Sequence, residues 1–156
     1  MDADANTPHP PQPAHGALVE LDRVIPIVVG ASLESEAHDR PIAQRLAGVI
    51  NRMVGADDGA IGPALVCTDL WYLNDDRLRA RPTVSVGRPD RNALSAYLGD
   101  KTPSAYVVDD VLMVQADPEM SEAVVCCWGV DERATAWSVD AFIEKYLDAF
   151  IAAALR

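Results

Sequence analysis

A chain of 156 residues, 49% of them hydrophobic, fits one domain that buries roughly two thirds of the surface its unfolded form exposes, with no need of disulfide or metal staples. Its formal net charge of −11, from 24 acidic against 13 basic residues with no basic stripe, argues against a nucleic-acid partner, and no uncharged apolar run is long enough to cross a bilayer. The acidic, polar start at Met1-Asp2-Ala3-Asp4 lacks the basic and apolar regions of a secretory signal, so a cytoplasmic location is the default expectation. Cys67, Cys126 and Cys127 form no Cys-x-x-Cys pair and read as reduced core thiols.

Residues 1–16 hold Pro8, Pro10, Pro11 and Pro13 with His9 and His15 and show no apolar periodicity, which predicts a disordered tail ahead of a folded domain over 17–156. Val24 to Val29 reads as the first strand, closed by Gly30-Ala31-Ser32, with Pro26 restricting it to a sheet edge or to the start of a strand. Asp39 before Arg40-Pro41 suits the cap and first turn of a helix whose buried stripe is Ile42, Leu46, Val49, Ile50 and Met53. A loop over 55–63 leads to a buried second strand, Ala64 to Thr68, and Asp69 is placed to cap a short turn through Trp71 and Leu73.

Pro82 to Val86 supplies a third strand, and Asp90 the cap of a helix that packs through Leu94, Tyr97 and Leu98 until Gly99 stops it. Ala105–Val108 and Val111–Gln115 flank Asp109-Asp110 too closely for a crossover helix, which predicts a hairpin. Ala123 to Trp128 reads as a last buried strand. One long helix follows, with Val139, Phe142, Ile143, Tyr146, Leu147, Phe150 and Ile151 at helical spacing. The order βα, βα, βα, hairpin, βα predicts a single three-layer α/β domain with a mixed, mainly parallel sheet of about six strands and helices on both faces.

Parallel strands that precede helices gather their carboxyl ends at one edge, and that edge collects Ser32, Glu34, Asp69, Gly87, Arg88, Asn92 and Asp131, together with Asp90 and Thr135. Arg88 and Arg91 beside a helix N-terminus can hold a phosphate or carboxylate, although the single glycine of Gly87–Asn92 matches neither the dinucleotide fingerprint nor the phosphate loop. Asp69 and Asp131 are candidate Mg²⁺ ligands, with Glu34 as a base, in a metal-assisted enzyme or sensor for a phosphorylated or nucleotide ligand. Capping chemistry alone also accounts for Asp39, Asp69, Asp90 and Asp131.

His38 is the one histidine of the folded body, and no serine elbow or cysteine is placed to use it as a base. With no nucleophile, base and orienting group assembling, the preferred expectation is a non-catalytic binding or assembly module. It would dock to a protein partner or form a homo-oligomer through the apolar last helix, offering Phe150, Ile151 and Leu155.

The pattern Gly87-x-Pro89-x-x-Asn92, then an apolar strand, Gly129-x-Asp131-x-x-x-Thr135 and a helix, is similar over roughly the second half of the chain to α/β modules of prokaryotic surface-layer-type proteins. In those modules a second glycine commonly stands where Arg88 is here, and the proteins are exported. With Asp39-Arg40-Pro41 as well, the chain more closely resembles small uncharacterised bacterial α/β proteins. The resemblance implies the fold, and a loop-shaping role for Gly87, Pro89 and Asn92.

Overall fold

Five consecutive apolar residues form β1 (Ile25–Val29), and all five are buried, the pattern of a strand covered on both faces. The remaining elements in chain order are α1 (Leu33–Val54), β2 (Ala64–Thr68), α2 (Asp69–Leu73), α3 (Asp76–Arg79), β3 (Thr83–Val86), α4 (Ala93–Leu98), β4 (Ser104–Val108), β5 (Leu112–Ala116), β6 (Val124–Gly129), α5 (Glu132–Lys145) and α6 (Leu147–Ala154). The computed structural model describes residues 19–55 and 62–156. The expected tail with His9 and His15, and most of the loop between Gly55 and Pro63, lie outside them.

The strands make one six-stranded sheet in the order β2-β1-β3-β6-β5-β4. β2, β1, β3 and β6 run parallel, while the β4–β5 hairpin adds one antiparallel pairing to β6 and one within itself. This is the expected mixed, mainly parallel α/β sheet. α1, α5 and α6 cover one face over Ile25, Ile27, Val29, Val84, Val125 and Cys127. Residues of α2, α3 and α4 cover the other over Val24, Val28, Cys67 and Cys126. The chain steps outward from β1 to β2 and then crosses back over β1 to β3, so the topological switch point lies between β1 and β3. No helix among the described residues is long and apolar enough to cross a membrane.

Two local expectations are corrected and one is narrowed: Pro26 stands at the start of its strand, the second of its two expected positions, and that strand is interior. The Ile25 N–H bonds Pro63 O on the β2 side, so alternation turns the missing N–H of Pro26 toward β3, where pairing begins only at Ile27. α1 starts at Leu33, well ahead of the first turn expected at Arg40: Ser32 caps it by accepting from the Ser35 N–H, and Asp39 and Pro41 lie inside the helix. Pro41 forgoes one helical hydrogen bond on an exposed position, which is where a helix tolerates that loss. The long last helix is broken at Tyr146, whose φ of −131° leaves helical values while its hydroxyl donates to Ala105 O at 3.0 Å.

Across that break Phe150 meets Phe142 edge to face, 5.7 Å between ring centroids. Phe150 and Ile151 are thereby buried in the chain's own core and are not offered to another subunit; of the expected trio only Leu155 stays exposed. The hairpin forms without glycine because Asp110 takes a φ of +57°, a left-handed conformation that Asp tolerates better than most residues.

Candidate functional site

β1, β2, β3 and β6 end at one edge, and their loops bring Ser32, Glu34, Asp69, Gly87, Arg88, Asn92 and Asp131 to it. Each polar member is engaged inside the chain. Ser32 caps α1, and Glu34 Oε1 lies 3.0 Å from Arg91 Nη1. Thr68, not Asp69, caps α2. Asp69 is buried, its Oδ1 accepting from the Leu70 N–H and its Oδ2 from the Ala93 N–H, both at 2.8 Å, so it ties the end of β2 to the start of α4.

Asn92, not Asp90, caps α4. Its Oδ1 accepts from the Leu94 and Ser95 N–H groups, and its Nδ2 donates to Val28 O and Val86 O at 3.0 Å each. Val86 ends β3 and Val28 is next to last in β1, so a side chain 1% exposed occupies the switch-point crevice where α/β proteins usually hold a ligand. Asp90 instead receives Arg88 Nε and Nη2 at 3.0 and 2.8 Å, while Arg88 Nη1 donates to Val130 O at 2.9 Å. Asp131 caps α5 by accepting from the Ala134 N–H at 2.8 Å, and Thr135 Oγ1 accepts from the Gly129 N–H at 3.1 Å.

Asp69 follows β2 and Asp131 follows β6, with β1 and β3 between them. Three strand spacings are roughly 14 Å, so one Mg²⁺, which needs oxygen ligands at about 2.1 Å, does not reach both. Among the described residues no three His, Cys, Asp or Glu side chains converge on a metal position.

Asp39 is the residue that reading it as a cap misses. It is fully buried, and neither carboxylate oxygen has a hydrogen-bond partner among the described residues. Burial raises its pKa, with the Arg91 charge and then the Ser35 hydroxyl acting against the shift. Gly87, with a φ of +118°, leaves room for it: a Cβ there would stand 2.7 Å from Asp39 Oδ2. Arg91 Nε is also buried and has no partner among the described residues, so a carboxyl and a guanidinium lie beneath the rim without a direct bond. The signal was present in sequence as Ser35, Asp39, Ile42 and Leu46, which continue one helical stripe into the core.

His38 Nδ1 lies 2.7 Å from Glu132 Oε2 in an exposed pair that links α1 to α5. The three cysteines are buried and unpaired, and burial pushes Cys67 up to about 12 and Cys126 to about 11, so neither is a thiolate at neutral pH. The same edge carries apolar side chains in solvent: Leu33 is 85% exposed, Leu70 62%, Val130 46%, Trp71 44% and Val108 38%. Leu33 opens α1 and Leu70 and Trp71 open α2, on loops that follow the paired ends Val29 and Thr68. Comparison with protein-family models and with curated proteins finds no match, so function is read from the geometry alone.

Proposed function

We propose that this protein is a non-catalytic docking module that presents the carboxyl edge of its sheet to a protein partner or to a second copy of itself. One observation carries the reading: the polar side chains of that edge are engaged in caps and ion pairs, whereas Leu33, Leu70 and Trp71 at its β1–β2 end and Val108 and Val130 at its β4–β6 end are exposed. Exposed apolar groups along one edge, a tryptophan among them, are the usual material of a protein interface. A phosphate site would need a free cation, yet Arg88 is held by Asp90 and Arg91 by Glu34, and the net charge of −11 repels anions. Three unpaired thiols suit a reducing cytoplasm.

A thermal-shift panel of nucleotides, sugar phosphates and divalent cations tests the reading against a ligand enzyme or sensor. The expected result is an unchanged melting temperature across the panel, since only a ligand that binds the native state raises it. A saturable rise that Arg88→Ala removes would overturn the docking assignment.

A further inference from the structure

Asp39 and Arg91 leave complementary hydrogen bonds unmade beneath the carboxyl edge. Both Asp39 oxygens and Arg91 Nε lie out of solvent with no partner among the described residues. The Arg91 side chain is 13% exposed and reaches outward, its Nη1 standing 3.0 Å from Oε1 of Glu34, a side chain 65% exposed. A Cβ on Gly30 would stand 1.9 Å from Arg91 O and 2.6 Å from Ser35 Oγ, which sets the Arg91 backbone against the stripe of α1 that carries Asp39 one turn on.

One guanidinium therefore serves an outer carboxylate, Glu34, while an inner one, Asp39, goes without, although the Arg91 charge is the largest influence opposing the burial of Asp39. The surroundings decide which of the two holds it. An ion pair with one member in solvent holds weakly, whereas a buried carboxylate that ionises without a partner is costly. Arg91 thus belongs to Glu34 while Asp39 keeps its proton and to Asp39 once that proton is lost. The other charged groups facing Asp39 are Glu34 and His38 of its own helix, His38 being held by Glu132 of α5, and Ser35 adds a hydroxyl.

We propose that Arg91 is a proton-driven latch: loss of the Asp39 proton draws the guanidinium from Glu34 to Asp39 and leaves Glu34 as a free carboxylate beside Leu33. The inference rests on the docking reading of the carboxyl edge and names its regulation. Leu33 is 85% exposed and adjoins Glu34, so the move adds one unpaired negative charge at the β1–β2 end of that edge and favours a partner with a basic residue there. Burial sets the pKa of Asp39 above that of an ordinary aspartate, so the latch moves where exposed aspartates are already ionised.

The test follows the full chain by NMR over a pH series, reading the side-chain carboxyl signals of Asp39 and Glu34, the Arg91 Nε–H and the Leu33 amide. All four are expected to share an inflection at the Asp39 midpoint, and Asp39→Asn should erase it from the other three. Glu34→Gln, at an exposed position, removes the outer partner and should lower the Asp39 midpoint by about half a pH unit or more. An Asp39 that does not titrate, a titration that leaves the Arg91 Nε–H and the Leu33 amide unmoved, an inflection that survives Asp39→Asn, or an unchanged midpoint in Glu34→Gln would overturn the latch. Missing inflections alongside partner capture that depends on Leu33 and Trp71 remove the latch alone; capture indifferent to those residues removes the docking reading itself.

Discussion

Replacing Asn92 by Asp separates a structural staple from a ligand-binding side chain. The carboxylate keeps the acceptor that caps α4 through Leu94 and Ser95, so the cap survives. It also places an acceptor where Nδ2 now donates at 3.0 Å to Val28 O and Val86 O. Val28 O keeps its ladder donor from β3, whereas Val86 O loses its donor at about 1–3 kcal/mol, and a charge facing both carbonyls adds to that, so Asn92→Asp should destabilise by at least about 2 kcal/mol at neutral pH. Asn92→Ala loses the same donor and also the cap, about 1 kcal/mol, and should cost about 2–4 kcal/mol in all. Protonation restores a donor, so the Asp variant should recover stability as pH falls toward its raised native pKa. Urea denaturation at neutral pH and near pH 4 measures both effects. An Asp variant within about 0.5 kcal/mol of wild type at neutral pH would refute the staple and free Asn92 for a ligand.

Other variants probe the buried charge, the close approaches and the thiols. Because the native pKa of Asp39 stands above its unfolded value, the native state holds the proton longer, and its contribution to stability falls as pH rises from the unfolded pKa through the native one. Asp39→Asn should flatten that part of the pH–stability curve and be more stable than wild type at neutral pH; parallel curves would count against it. Gly30→Ala puts a Cβ 1.9 Å from the Arg91 carbonyl oxygen and should cost more than about 4 kcal/mol. Gly48→Ala meets only the flexible end of Arg52 at 3.7 Å in mid-helix and should stabilise by up to about 1 kcal/mol, so melting temperatures in the opposite order would be decisive. An aromatic disulfide reagent should leave all three cysteines unlabelled in the native state and label them after unfolding; rapid native labelling would contradict their burial.

The sheet was legible because its strands are short apolar runs bounded by turn residues and alternating with helical stripes, as Ile25–Val29 and Ala64–Thr68 show. What escaped depends on groups brought from elsewhere in the chain. Arg40-Pro41 imitates a helix start, and only the packed structure shows that Pro41 sits on an exposed side where a lost bond is tolerable. Asp90 and Asn92 are both capping types two residues apart; the choice falls to Asn92 because an amide can serve α4 and also donate to the carbonyls of β1 and β3. The bend at Tyr146 answers to Ala105, 41 residues earlier, and no helical periodicity records that contact. The gathering of seven residues at the carboxyl edge followed from the parallel order alone, whereas their mutual saturation required the side-chain geometry.

The most direct measurement of docking through the carboxyl edge is quantitative capture by the immobilised full chain from its native lysate, comparing wild type, Leu33→Asp with Trp71→Asp, and Tyr97→Asp. Tyr97 is exposed on α4, away from that edge, and serves as the control. The docking account predicts the same partners on wild type and the Tyr97 variant and their loss from the double variant. Retention of those partners by the double variant, or a wild-type chain that enriches nothing and stays monomeric in light scattering, would contradict it.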